Sequence, residues 1–522
     1  MRQEENAIND KKHSDRKSAD AHSRRKDAAA PAGKKPGGSS RTAHTTEKRR
    51  AVKDEREVVL LALLSHEKNG TFSNVLVKKT LDDCAGMSTM EKAFIKRLLE
   101  GVIERKTELD ARIEHFTGRS VTRLHPVVHQ ILRMGIYQIC YMDSVPDSAV
   151  CNEAVRLAKR RGPARLSGFV NGVLRSAARQ AASSEGSCDV FLSDKGGVNS
   201  PCGEKDPADQ LKVLSLKNSM PEWLVEMWSD QLGMEETEKL LDALMEIRPV
   251  SIRLSGRLSD EERERLLEQL RSAGVTVDAG KWLADCRYLR RTSDLRKLPG
   301  FSGGQWTVQD ESSMLAVAAA GLTGGETVFD VCAAPGGKSF LAADRLIALE
   351  KECGRSGKVF SFDLTKRKTD LIREGAERLG LDNIETAERD ARQFFAQDEG
   401  KADVVLCDLP CSGLGVIGKK RDIKYHASME GLASLQDLQR QILTSAVRYL
   451  KKGGVLIYST CTINRAENQD NAAWIEKELG LQPEDLTPYL PAHIPGIQSN
   501  MIQLLPHVHG TDGFFISRFR KA

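Results

Sequence analysis

The chain has 522 residues, room for three or four domains at about 150 residues each. Its composition, 40% hydrophobic and 29% charged, is that of a globular protein. The most apolar stretches, such as residues 314–322, fall far short of the ~18–20 residues needed to cross a bilayer. Membrane-spanning, collagen-like and small disulfide-scaffold proteins are thereby excluded.

The net charge of +5 is unevenly placed: residues 1–50 hold 14 Lys/Arg and 7 Asp/Glu, which leaves the remainder at −2. This basic tail has Ile8 as its only branched apolar residue, cannot build a core and is expected to be disordered. It reads either as an arm on RNA or as a solvated tail. Glu4, Glu5 and Asp10 argue against a transit peptide, and no basic start followed by an apolar core signals export. A cytoplasmic protein is expected. Eleven scattered cysteines, with no Cys-x-x-Cys pair and no histidine cluster at zinc spacing, then read as reduced thiols without a metal.

From residue 51 to 181 the apolar positions follow helical spacing, as in Val58, Leu61, Leu64 and in Phe94, Leu98, Val102. An all-α domain is expected there. Residues 182–214, rich in Gly, Ser, Asp and Pro, read as a linker. Residues 215–312 read as a small α+β, RRM-like domain, with helices over 222–247 and 260–273, a strand over 250–254 and extended character over 275–289. Residues 313–522 alternate strands (327–332, 359–363, 404–408, 455–460) with helices (339–350, 367–379, 435–450). That alternation predicts a doubly wound, mostly parallel Rossmann-like sheet, with ligands at the carboxyl ends of its strands.

Unusual residues gather at those ends. The first strand runs into Asp330-Val331-Cys332-Ala333-Ala334-Pro335-Gly336-Gly337-Lys338-Ser339, a Gly-rich turn opening a helix, whose backbone can approach a ligand closely. A P-loop needs glycine five residues before Gly337, where Cys332 stands, so that reading fails. Asp363 ends the second strand, where a carboxylate accepts from both ribose hydroxyls of a nucleoside. Asp390 follows a short third strand, placed to border the adenine. A nucleoside cofactor without a phosphate-reading glycine fingerprint points to S-adenosylmethionine and away from NAD.

The fourth strand ends Cys407-Asp408-Leu409-Pro410-Cys411-Ser412-Gly413, and the fifth Tyr458-Ser459-Thr460-Cys461-Thr462. A single cysteine there would read as a small buried residue. Two thiols on the ligand edge have a chemical use. Carbon 5 of cytosine is too weak a nucleophile to take a methyl group from a sulfonium directly. Addition of a thiolate to carbon 6 makes carbon 5 nucleophilic, splitting one hard step into two. A base must then remove the carbon-5 proton, which a second cysteine can do, while Asp408 can hydrogen-bond the cytosine N3 edge.

At these motifs the chain resembles the Sun-type RNA cytosine-C5 methyltransferases. Residues 330–338 look like that family's cofactor loop, so Cys332, Ala333, Ala334, Pro335, Gly336, Gly337 and Lys338, with Asp363, Asp390 and Asp408, are the implied cofactor-binding residues. Val308-Gln309-Asp310-Glu311-Ser312-Ser313 and Asp512-Gly513-Phe514-Phe515 match elements at the two ends of its catalytic domain. The resemblance implies Cys461 as nucleophile and Cys411 as the residue assisting product release. DNA cytosine methyltransferases use the Pro-Cys thiol instead, so spacing alone leaves the two roles interchangeable. Upstream, Leu132-Arg133-Met134-Gly135-Ile136-Tyr137-Gln138, Asn152-Glu153-Ala154-Val155 and Gly168-Phe169-Val170-Asn171-Gly172 resemble the NusB-like RNA-binding domain. The fusion implies small-subunit (16S) ribosomal RNA, or its assembly intermediate, as partner. Alternatives are the same chemistry on tRNA, or a non-catalytic RNA-binding or antitermination factor; a monomer is the default.

One stretch departs from the family's pattern. Paired arginines and a proline before Asp-Ile-Lys-Trp are replaced by Gly418-Lys419-Lys420-Arg421-Asp422-Ile423-Lys424-Tyr425. Arg and Lys differ at phosphate and stacking contacts, so the stretch is expected either to change the grip on RNA or to be a surface loop with shifted charges.

Overall fold

A computed structural model describes residues 54–183, 207–292 and 294–522. The basic tail and most of the expected linker lie outside these residues. Seven helices form the N-terminal domain: α1 (Glu55–Asn69), α2 (Ser73–Asp83), α3 (Thr89–Glu104), α4 (Lys106–Thr117), α5 (Pro126–Tyr141), α6 (Asp147–Arg161) and α7 (Ser167–Ser183). α5 is the apolar axis of the bundle, with residues 130–138 buried. Gly101 on α3 lets Tyr137 pack where a side chain would collide with its ring. The buried stripe of α1 centres on Val59, Leu60 and Leu63, with Leu61 and Leu64 only partly covered. It is thus rotated from the expected Val58, Leu61, Leu64 pattern, because α1 packs against both α3 and α5 and needs a wider apolar arc.

The expected linker proves shorter than residues 182–214. α7 runs through Ser183 and a new helix spans Pro207–Lys217, with Leu214 and Leu216 buried. Its proline sits at the first turn, where no N–H is needed. Helices Glu222–Leu232 and Met234–Met245 follow. Their apolar faces, including Trp228, Leu240 and Leu244, pack with Leu414, Ile417 and Ile463 of the C-terminal domain rather than with the small sheet. That sheet comprises β1 (Val250–Leu254), β2 (Thr276–Ala279), β3 (Cys286–Arg290) and β4 (Trp306–Val308), all antiparallel, in the order β2-β3-β1-β4. Helix Asp260–Ser272, opened by a Ser259/Glu262 capping box, covers it.

The C-terminal domain is built on β5 (Thr327–Asp330), β6 (Lys358–Asp363), β7 (Ile384–Glu388), β8 (Ala402–Asp408), β9 (Leu450–Thr460), β10 (Gln482–Pro483), β11 (Ile497–Gln498), β12 (Met501–Leu504) and β13 (Phe514–Arg520). The main path is β11-β12-β13-β9-β8-β5-β6-β7, parallel from β9 to β7 and antiparallel beyond β9, as the βα alternation predicts. Residues alternate between faces. Val404 and Leu406 enter the core shared with helices Glu311–Ala318 and Gly337–Cys353. Val405 and Cys407 enter the opposite core, with helices Met429–Ala446 and Gln469–Leu479. The helix expected over 435–450 begins six residues earlier and ends at Ala446, since Leu450 already opens β9. Strand order reverses at β5/β8, which makes the carboxyl ends of β5, β6 and β8 the crevice of the domain. Among the described residues no helix is long and apolar enough to cross a membrane.

Candidate functional site

The β5 turn delivers its backbone to this crevice. Gly336 takes φ +109°, and a Cβ there would collide with the Phe340 ring, so only glycine fits the approach to helix Gly337–Cys353. Asp330, at the end of β5, is fully buried; burial pushes its carboxyl up to about 7 although Ser339 Oγ donates to it at 2.7 Å. Asp363, at the end of β6, accepts from Ala334 N–H at 3.0 Å and so ties the second strand end to the turn; Lys368 Nζ lies 2.9 Å from its other oxygen. Cys332 is a wall of the turn, its thiol pushed up by burial and by the neighbouring Asp330, Asp363 and Asp408. Asp390 follows β7 and is held below the usual carboxylate range by the hydrogen bond from Arg392. Cys332, Ala333, Ala334, Pro335, Gly336, Gly337, Lys338 and Asp363 therefore stand together, with Asp390 one strand further out.

Lys338 ion-pairs with Asp408 at 2.6 Å, while Ser459 Oγ donates to the other Asp408 oxygen at 2.9 Å. Because β8 and β9 pair in parallel with Asp408 opposite Ser459, the loops that follow them emerge side by side. Cys411 and Cys461 Sγ lie 3.3 Å apart as free thiols. The pair is electrostatically unequal. The hydrogen bond from Cys411 draws the Cys461 thiol down, helped by the charges of Lys420 and Lys338, over the opposing effects of burial and Asp408. The same bond, then burial, Glu467 and Asp408, pushes Cys411 well up. The surroundings thus favour a thiolate on Cys461 over one on Cys411.

Glu467, which sequence reasoning missed, holds the Cys411 loop. Its buried carboxylate accepts from Ser412 N–H at 2.9 Å, Ser412 Oγ at 2.5 Å, Gln439 Nε2 at 2.9 Å and Asn464 Nδ2 at 3.0 Å. The sequence signal was the polar run Asn464-Arg465-Ala466-Glu467-Asn468 directly after the Cys461 motif. Gln309 was also missed as a binding residue. Its Oε1 accepts from buried Arg253 at 2.9 Å, and its buried Nε2, beside Gly337, has no partner among the described groups.

The departing stretch 418–425 is not a free surface loop with shifted charges: most of its charged side chains are paired. Lys419 Nζ bridges Asp310 and Asp512, 2.6 Å from each. Arg421 pairs with Glu104 of α3. Asp422 accepts from Ser73 N–H at 2.5 Å and Ser73 Oγ at 2.7 Å, at the start of α2. Tyr425 OH lies 2.9 Å from the carbonyls of both Glu104 and Ser219. Arg421, Asp422 and Tyr425 thereby join the N-terminal helices to the catalytic domain, while Lys419 holds together Asp310 and Asp512 at the two ends of that domain. Lys420 alone of the basic residues in the stretch is an exposed cation near the thiols.

An all-α NusB-like domain, a ferredoxin-like sheet and a Rossmann-like domain with a nucleoside-type crevice and a paired-thiol edge together define the architecture of an S-adenosylmethionine-dependent methyltransferase. Three families match in chain order: the NusB family over residues 53–179, the ferredoxin-like domain of RsmF/B-like methyltransferases over 220–296, and the 16S rRNA methyltransferase RsmB/F family over 318–520. The chain is 36% identical over 470 residues to the probable ribosomal RNA small subunit methyltransferase B of Bacillus subtilis, covering 89% of this chain and 98% of that one. It is 31% identical over 479 residues to the protein of the same name from Synechocystis, covering 90% and 99%. The chain belongs to the ribosomal RNA small subunit methyltransferase B family. Among solved structures, PH0851 shares the fold across 90% of this chain and 99% of its own, with TM-score 0.68 and 23% identity. NSun6 from Pyrococcus horikoshii with SFG does so over 58% and 98%, with TM-score 0.50 and 22% identity.

Proposed function

We propose that this chain transfers a methyl group from S-adenosylmethionine to carbon 5 of a cytosine in small-subunit (16S) ribosomal RNA, through a transient bond between Cys461 and carbon 6. The observation that carries the reading is the thiol pair 3.3 Å apart on the ligand edge of the sheet, with Cys461 drawn toward thiolate and Cys411 held protonated. The RNA assignment rests on the names of the relatives.

When bound, S-adenosylmethionine supplies the methyl group on a sulfonium. The residues at the turn fit it: Asp363 can accept from ribose hydroxyls, Asp390 borders the adenine side, and the backbone from Cys332 to Gly337 can approach the methionine moiety. The unpartnered Gln309 Nε2 is a donor beside the same turn. Among the described residues no cluster of His, Cys, Asp or Glu could hold a metal ion, and the proposed chemistry uses none.

The target base must leave its stack for a thiolate to reach carbon 6. Cys461 adds there, carbon 5 gains the electron density needed to take the methyl group, and Asp408, oriented by Lys338 and Ser459, faces the N3 edge. Once the Cys461 sulfur is bonded to carbon, its own charge no longer helps to hold the Cys411 proton. Cys411 can then release that proton to solvent and accept the one on carbon 5. Loss of that proton expels the Cys461 thiolate and restores the aromatic ring.

Cys461→Ala should abolish methyl transfer while leaving S-adenosylmethionine binding intact by calorimetry; full turnover in this variant would overturn the mechanism. Cys411→Ala should accumulate a protein–RNA adduct that survives denaturing gels. Bisulfite sequencing of RNA from a deletion strain checks the substrate, and loss of methylation in tRNA only would remove the ribosomal assignment.

A further inference from the structure

Phe72 and Val75, at the start of α2, leave about half of their surface exposed (50% and 54%) although they face inward across a domain boundary. They line a cavity of about 440 Å³ whose far wall is the catalytic domain: Cys411, Ser412, Lys420 and His426. The volume falls within the ~300–1,000 Å³ of small-ligand sites. The Phe72 and His426 rings stand 4.9 Å apart with an interplanar angle of 55°, giving the cavity an aromatic wall shared by two domains. That wall is held in place: Asp422 accepts from Ser73, the residue after Phe72, and its Oδ2 also lies 3.5 Å from His426 Nε2.

The cavity reaches Cys411 but not Cys461 or Asp408. It therefore lies beside the reacting base and not around it. An occupant would meet an aromatic face with an apolar flank beside Lys420, an exposed cation. Aromatic faces next to a cation are how single-stranded RNA is held, since every base has a face to stack and a phosphate to neutralise.

We propose that this cavity receives a nucleobase neighbouring the target cytosine in the RNA chain, stacked on Phe72 with His426 at its edge, so that the NusB-like domain supplies part of the substrate site. The proposal rests on the function proposed above and adds the residue that positions the strand. Phe72 is a positioning residue: it holds the neighbouring base and so presents the target to Cys461. Its exposure means that truncation removes a contact surface and little core packing.

The test uses the full chain and an RNA fragment containing the methylated cytosine, with an abasic residue placed in turn at each adjacent position. Phe72→Ala should raise KM for the intact RNA about 10-fold with kcat little changed, and Phe72→Trp should restore it. One abasic RNA should show a similar loss with the unaltered enzyme and no further loss with Phe72→Ala. Equal losses on intact and all abasic RNAs, or no loss at all, would overturn the proposal. So would a Phe72→Ala defect seen only on protein-bearing subunit particles, which would assign the cavity to a protein side chain. Methylation of the intact fragment by the unaltered enzyme reports separately on the proposed function; its absence overturns that reading and this one with it.

Discussion

Two thiols in hydrogen-bond contact cannot ionise independently, and their surroundings decide which loses its proton first. The hydrogen bond between them, then Lys420 and Lys338, favours charge on Cys461 against burial and Asp408, while the same bond, burial, Glu467 and Asp408 all oppose it on Cys411. The rate of adduct formation with RNA should therefore rise with pH and level off below the ordinary thiol value of about 8.5. Cys411→Ala removes the donated hydrogen bond and should move this limb to higher pH, whereas Cys411→Ser keeps a donor and should move it less. Single-turnover adduct yields across the limb measure this. Coincident limbs for the unaltered enzyme and Cys411→Ala would assign the ionisation to the lysines alone.

Among the elements, the 418–425 stretch ties charge to folding. Lys424 is fully buried, with Asn218 carbonyl at 3.4 Å and Met245 sulfur at 4.0 Å, and burial brings its ammonium down to about 7. An unfolded lysine keeps its proton to about 10.4. Between these values the unfolded chain binds more protons, so stability contributed here rises with pH, and the full cost of the buried charge is felt below pH 7. Lys424→Met should accordingly stabilise the protein by about 1–4 kcal/mol, more at pH 6 than at pH 9. Thermal unfolding at the two pH values measures it, and an equal shift at both would locate the gain in packing instead. The motifs themselves were legible because each is a local pattern: β strands ending in Asp363, Asp408 and Thr460 show as apolar runs closed by a polar residue. The end of α7 and the helix at Pro207 were not legible, since a Gly/Ser/Pro-rich neighbourhood masks short helices whose stability comes from docking.

For the molecule as a whole, coupling between the NusB-like helices and the catalytic domain includes Glu104 with Arg421, Ser73 with Asp422, Phe72 with His426, and Tyr425 against Glu104. Arg421→Glu should lower stability by about 1–3 kcal/mol and raise KM for RNA, and adding Glu104→Arg should recover most of both. A double-mutant cycle in unfolding free energy checks this; simple additivity would remove the ion pair from the coupling.

The order of domains, the parallel sheet and the crevice at its strand ends could all be read from residue order, because hydrophobic periodicity and strand-end residues are local consequences of backbone geometry. That the two thiols lie in contact in unequal surroundings, that Glu467 braces the Cys411 loop, and that Arg421 and Asp422 join domains could not. Those depend on residues far apart in the chain, such as Ser73 and Asp422, 349 positions from one another. Electrostatics acts through distance in space, and a linear sequence carries no record of that distance until the chain has folded.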